Sequence, residues 1–298
     1  MKFVHIAAIV ICTLFIASTG CIGNDNEGEG MGVIVSVLPQ KEMVDAIGGE
    51  LIDLTVMVPP GASPHDYEPL PSQLRAVSEA EVYFAVGSGV EFELQNLDFL
   101  SDQNDDMLVV NSSEGIELKR FDEHYQGNVT DGSAPSGAID PHVWTSPSNL
   151  LIMASNVLDG LILADPEHES EYRHNYDGYI EDLQSTAEEI NGTLAPYEGM
   201  AFLVYHPAWG YFGDEYNLVM LAIEEEGTQP GPAGVAAIIE QANENGIDVV
   251  FVSPQFDSSS AEQIAEEIGG EVVVIDPLAE GLLDELLMAA DQMAEGFA

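Results

Sequence analysis

The chain has 298 residues, with 6 Lys and Arg against 53 Asp and Glu, which gives a formal net charge of −47 at pH 7. So acidic a chain repels nucleic acid and anionic headgroups, because phosphate binding requires clustered cations, and nucleic-acid partners are therefore excluded. Since 46% of the residues are apolar and the acids are spread through periodic segments, the composition excludes a disordered acidic tail and is typical of adaptation to high salt.

The N-terminus has the pattern of an export signal. Lys2 and His5 precede an apolar run at residues 6–17, which is too short to span a bilayer comfortably. The following Ser-Thr-Gly-Cys resembles the lipobox of prokaryotic lipoproteins. We therefore predict a signal peptide at residues 1–20, lipidation at Cys21 and a polar tether at residues 21–30, with cleavage without lipidation as the alternative. Both cysteines of the chain lie in this region, so the folded part is expected to have no disulfide.

Strand and helix signals then alternate in two series separated by one long helix. The first series predicts strands at residues 33–37, 54–58, 82–86 and 107–110, with helices near residues 40–46 and from Pro71 onward. Residues 115–139 lose periodicity and are predicted to form an exposed loop. An amphipathic helix at residues 148–163 precedes a long polar helix at residues 167–195, which has one narrow apolar stripe and could cross between two lobes.

The second series repeats the alternation to the end of the chain. It predicts strands at residues 202–205, 218–223, 249–252 and 272–275, and helices at residues 234–243, 261–268 and 281–294. Alternation of this kind indicates an α/β fold with parallel sheets. The fold class predicted is two α/β lobes, each with a mainly parallel sheet flanked by helices.

Three of the seven histidines, His65, His142 and His206, have a proline beside them, and Asp276 repeats the pattern. Proline fixes its own φ and restricts the residue before it, so each segment is a stiffened turn or strand exit. Three imidazoles and one carboxylate also form a complete shell for a tetrahedral divalent metal ion, for which zinc is the first candidate.

Four segments, taken in order, resemble the signature segments of the metal-binding solute-binding lipoproteins of ABC transporters. They are Val-Pro-Pro-Gly-Ala-Ser-Pro-His-Asp-Tyr-Glu-Pro at 58–69, Asp-Pro-His-Val-Trp at 140–144, Tyr-His-Pro-Ala-Trp-Gly-Tyr-Phe at 205–212 and Asp-Pro-Leu at 276–278. The similarity extends over residues 31–298. It implies an N-terminal lobe at residues 31–163, one long rigid linking helix at 164–197 and a C-terminal lobe at 198–298, with the metal between the lobes.

The resemblance also implies four metal ligands, His65, His142, His206 and Asp276. Zinc-binding members of this family carry His at the third position and manganese-binding members generally carry Glu, so His206 indicates Zn²⁺ as the transported ligand. Imidazole suits zinc, whereas manganese prefers oxygen. Some members with three His and one Asp are thought to take manganese as well, so Mn²⁺ remains the alternative. No catalytic residue is expected.

The implied function is capture of the metal at the outer face of the membrane, by a lipid-anchored monomer, and delivery to an ABC permease with its ATPase. A surface adhesin of the same fold is an alternative. A zinc hydrolase is a weaker one, because four protein ligands would leave no open position for water. His124, His168 and His174 are interpreted as ordinary surface or core residues, and Asp66, Glu68 and Trp144 as candidates to hydrogen-bond the ligand imidazoles.

Overall fold

The computed structural model describes residues 30–124, 137–224, 230–256 and 259–298. Within these residues the chain forms two four-stranded parallel sheets flanked by helices, which confirms the predicted fold class. The predicted signal peptide and the predicted lipidation site, Cys21, lie outside the described residues.

The N-terminal lobe is built on a sheet with strand order β2-β1-β3-β4. Its strands are β1 (Met31–Val37), β2 (Ile52–Val58), β3 (Val82–Ala85) and β4 (Leu108–Asn111), and its helices are α1 (Pro39–Gly48), α2 (Pro71–Glu79), α3 (Glu91–Ser101) and α4 (Pro147–Ala164). The central strand β1 is apolar almost throughout because it is covered on both faces, as in most parallel sheets. By length and composition α4 could cross a membrane, but its buried residues pack in this lobe against β3, β4 and α1.

The C-terminal lobe repeats this arrangement, with strand order β6-β5-β7-β8. Its strands are β5 (Ala201–Val204), β6 (Val219–Ala222), β7 (Val249–Val252) and β8 (Glu271–Val274), and its helices are α6 (Gly210–Glu215), α7 (Pro232–Asn245), α8 (Ser259–Ile268) and α9 (Leu282–Gly296). All pairings in both sheets are parallel. The carboxyl ends of the strands therefore gather at one edge of each sheet, where open α/β sheets bind ligands.

Between the two sheets in sequence lies α5 (Glu169–Leu194), a single helix of 26 residues. At about 1.5 Å per residue it is about 39 Å long. It packs against α1, α4 and α9, so it contacts elements of both lobes. One continuous hydrophobic core includes Val33 and Phe84 of the first sheet together with Phe202 and Phe251 of the second. The lobes are thus fused through buried apolar contacts as well as through the chain.

The structure also corrects the sequence-based picture in three places. Helices α3 and α6 were not predicted. The predicted exposed loop at residues 115–139 is wrong for Phe121 and His124, which are both buried, and this segment closes with an antiparallel bridge between Arg120 and Ile139. The helical pattern of α3 is obscured because the charged residue Glu93 is buried beside Phe92, where it accepts hydrogen bonds from the backbone amides of residues 86 and 87.

Candidate metal centre

The centre of the candidate site is a pair of imidazoles, one from each lobe. His142 lies just before the helical turn Val143–Thr145 that leads into α4, and His206 follows β5. Their Nε2 atoms lie 3.4 Å apart. Two nitrogens that are each about 2.0–2.1 Å from a tetrahedral zinc ion would be about 3.3 Å apart. The two rings are therefore already at the spacing that a shared zinc ion requires.

Each candidate imidazole has its other ring nitrogen against a carboxylate. The Nδ1 atom of His142 lies 2.7 Å from Asp140 Oδ1, that of His206 lies 2.9 Å from Glu224 Oε2, and that of His65 lies 2.9 Å from Glu91 Oε2. Because an ionised carboxylate can only accept, Nδ1 carries the proton in each ring. The Nε2 atom of the neutral ring then has its lone pair free to bind a metal ion. Metal-ligating histidines typically have this arrangement, with the other ring nitrogen donating to a carboxylate.

The same tautomers make the His142–His206 contact unfavourable without a cation. Two unprotonated Nε2 atoms at 3.4 Å place two lone pairs close together, and a metal ion between them would relieve that contact. Burial, helped by the neighbouring His142, lowers the pKa of His206 to about 4 in spite of the Glu224 carboxylate. Near neutral pH, therefore, His206 is neutral and ready to act as a ligand.

The walls of the site are largely apolar and come from both lobes. Phe256 stacks on the His206 ring at 4.5 Å, and Trp144 meets the His142 ring edge-on at 5.4 Å. The Trp144 indole also donates to the carbonyl oxygen of Pro277 across the lobes at 2.7 Å. Together with His65, Leu278 and their neighbours these residues line a small cavity of about 30 Å³. Apolar walls of this kind lower the local dielectric and strengthen ion–ligand interactions.

The other two predicted ligands are less closely assembled. His65 lines the pocket with its ring 5.5 Å from that of His206. Asp276 follows β8 beside the pocket residues Pro277 and Leu278, but its Oδ1 atom accepts from Gln255 Nε2 at 2.8 Å and from the Leu278 amide at 2.9 Å. In the described part of the chain, no three or more His, Cys, Asp or Glu side chains form a group ready to hold a metal ion. The complete four-ligand shell therefore stays a prediction.

Sequence reasoning missed the carboxylates that orient the imidazoles. Among the described residues these are Glu91, Asp140 and Glu224, whereas Asp66 and Glu68 had been the candidates. Asp140 could have been found, because it stands two residues before His142 within the same motif. Glu91 and Glu224 lie 26 and 18 residues from their partners, and no local signal connects them. Trp144, also a candidate, packs against His142 rather than donating to it.

Comparison with known proteins places this arrangement in a family. Residues 33–292 match the family model described as zinc-uptake complex component A, periplasmic. The manganese-binding lipoprotein MntA of Halalkalibacterium halodurans is 28% identical over 276 residues, covering 89% of this chain and 86% of that protein. The high-affinity zinc uptake system protein ZnuA of Bacillus subtilis is 27% identical over 291 residues, covering 95% and 91%.

Solved structures agree with these sequence matches. A crystal structure of ZnuA has a TM-score of 0.82 and 34% sequence identity, with 91% of this chain and 100% of that chain covered. A zinc-bound deletion mutant of ZnuA, lacking residues 138–173 in its own numbering, has a TM-score of 0.80 and 35% identity, with coverage of 90% and 98%. Because the family model matches residues 33–292, most of this chain, the chain belongs to the ZnuA family of periplasmic zinc-uptake components.

Proposed function

We propose that this chain is an extracytoplasmic substrate-binding protein that captures Zn²⁺ between its two lobes and delivers it to an ABC permease with its ATPase. The observation that carries the proposal is the His142–His206 pair, whose Nε2 atoms are 3.4 Å apart while both Nδ1 atoms face carboxylates. Membership of the ZnuA family supports the same conclusion.

Zinc is proposed over manganese because of the donor atoms. Three imidazole nitrogens suit zinc, whereas manganese favours oxygen ligands. The relatives include proteins named for each metal, so similarity alone leaves the choice open. Asp276 is proposed as the fourth ligand, which requires its carboxylate to exchange the Gln255 amide for the metal ion. With four protein ligands no position remains for a reactive water, so we assign no enzymatic activity.

The cellular setting proposed follows from the N-terminal sequence. Cleavage before Cys21 and lipidation of that cysteine would anchor the monomer at the outer face of the membrane, with residues 21–30 as a tether. The lobes would then begin near residues 31 and 198, with residues 164–197 linking them. Mass spectrometry of the mature N-terminus tests the anchor independently of metal binding.

The decisive experiment is metal analysis of the purified mature protein, followed by competition between zinc and manganese. We expect one zinc ion per chain and displacement of manganese by zinc. The double variant with His142→Ala and His206→Ala should lose tight zinc binding, because both nitrogens of the central pair are removed. Zinc affinity equal to that of the unmodified protein in this variant would overturn the assignment.

A further inference from the structure

A third buried histidine lies beneath the site, outside the proposed ligand set. The His124 side chain has no exposed surface and sits between two carboxylates. Its Nδ1 atom is 2.7 Å from Asp214 Oδ2, and its Nε2 atom is 3.1 Å from Asp140 Oδ2. The second contact is an ion pair rather than a well-aligned hydrogen bond, and neither of its two atoms has another hydrogen-bond partner among the described residues.

The surroundings of His124 require a charged ring. Both nitrogens face carboxylate oxygens, which only accept hydrogen bonds, so each nitrogen must carry a proton. Burial alone would lower the pKa of His124, but contacts with Asp140 and Asp214 outweigh burial and raise it to about 9. Asp140, His124 and Asp214 therefore form a buried row of alternating negative and positive charges.

The two carboxylates belong to different lobes. Asp140 orients His142 by accepting from both its ring and its backbone amide, at 2.7 and 2.9 Å. Asp214 lies on α6, the helix that begins four residues after His206, and also pairs with Lys119. Lys119 is one of only six Lys and Arg residues in the sequence. His124 therefore connects the segment that carries the second ligand to the helix that follows the third.

The packing leaves room for this ring and for little else. The His124 ring lies edge-on to Tyr211 with centroids 4.9 Å apart. A Cβ atom added at Gly210 would come within 2.6 Å of the His124 ring and 3.0 Å of Asp140 Oδ2. Glycine at position 210 thus allows α6 to approach closely enough for Asp214 to reach His124. Such close steric constraint favours a defined position for the ring over incidental burial.

We propose that His124 is a positioning residue that clamps the segments of His142 and His206 at metal-binding spacing by bridging Asp140 and Asp214. This inference rests on the proposed metal-binding function. The clamp acts through Asp140 on the orientation of His142 and through Asp214 on the position of α6. Residues that orient metal-ligating imidazoles typically contribute about 10- to 100-fold to metal affinity.

The test asks whether His124→Gln and Asp214→Asn change the affinity for zinc in the same direction. If the cluster influenced the metal through charge alone, loss of the His124 cation would strengthen zinc binding and loss of the Asp214 anion would weaken it. A clamp predicts that both variants weaken zinc binding, by about tenfold, mainly through faster release to a chelator. The double variant should be little worse than either single one, because both remove the same bridge. Opposite signs, or no change in either variant, would refute the clamp.

The controls separate this inference from folding and from the proposed function. His168→Gln removes a comparable His–Asp contact, with Asp165 at 2.6 Å, from an exposed site away from the pocket and should leave zinc release unchanged. Thermal melting of the metal-free variants verifies folding, and Asp214→Asn remains available if His124→Gln does not fold. Nitrogen-15 NMR of the His124 ring should show both nitrogens protonated at pH 7, with or without zinc. A neutral ring would refute the bridge even if zinc binds, whereas failure of the unmodified protein to bind zinc would refute the proposed function instead.

Discussion

The two ligand–carboxylate pairs at His206 and His65 allow one prediction in which the structure supplies its own control. Glu224→Gln and Glu91→Gln are the same chemical change, and each removes a charge 2.9 Å from the Nδ1 atom of a proposed ligand. The pairs differ in burial. The side chains of His206 and Glu224 are each 5% exposed, whereas those of His65 and Glu91 are 39% and 48% exposed.

Burial sets the size of the expected effect. Water screens the exposed pair, and exposed ion pairs contribute at most about 1 kcal/mol, so Glu91→Gln should weaken zinc binding by no more than about fivefold. The buried pair is not screened, so Glu224→Gln should approach the upper end of the usual range, about 100-fold or about 2.7 kcal/mol. A glutamine at position 224 can also direct its NH₂ group at His206, which would favour the tautomer whose protonated Nε2 cannot bind zinc.

The measurement is competition with a chromophoric zinc chelator near pH 7.5, after thermal melting has shown that both variants are folded. The ratio of the two affinity losses is the informative quantity, because it cancels errors common to both titrations. Equal losses, or a larger loss for Glu91→Gln, would show that burial of the carboxylate does not control ligand strength here.

Three further predictions concern the same region. His206→Glu should raise the affinity for manganese relative to zinc, because an oxygen donor replaces a nitrogen; calorimetric competition that shows no change in preference would contradict this. Gly210→Ala should lower the free energy of unfolding by about 1–3 kcal/mol in urea titrations, because the added Cβ would lie 2.6 Å from the His124 ring. Gly213→Ala, whose added Cβ would have no contact under 3.4 Å, should lower the free energy of unfolding by less. Equal losses in the two variants would be inconsistent with the packing described. Metal-free protein should lose about 3 kcal/mol of its free energy of unfolding as the pH falls from 6.5 to about 4. The pKa of His206 is lower in the folded chain than in the unfolded chain, so the unfolded chain binds the proton first and is favoured by acid. If the free energy of unfolding of His206→Gln depended on pH in the same way, this contribution of His206 would be refuted.

The fold could be predicted from sequence because its signals are local. Apolar runs such as that of β1 identify strands buried in a parallel sheet, and the segments that follow β2 and β5 carry His65 and His206. His65, His142 and His206 could be selected by their neighbouring prolines, and the structure places all three around one pocket. Local patterns are sufficient for these features because each depends on residues adjacent in the chain.

The features that escaped prediction depend on distant residues. His124 was interpreted as an ordinary residue because the partner that accounts for its burial, Asp214, lies 90 positions later. The carboxylate of Glu91 belongs to α3, a helix whose apolar pattern is broken by the buried Glu93. Charged residues inside a core are stabilised by tertiary contacts, so sequence periodicity cannot identify them.

The long helix α5 has a consequence for the energetics of transport. Because it packs against elements of both lobes, and because the hydrophobic core is continuous between them, separating the lobes would expose buried apolar surface. We therefore expect the spacing of the His142–His206 pair to be established when the chain folds, and metal capture to require only local adjustment of the loops around His65 and Asp276. A protein whose binding site is formed before the ion arrives loses no binding free energy to a closing motion of its lobes. We then expect release of the ion to be the step that requires free energy, which the transporter that receives the ion would supply.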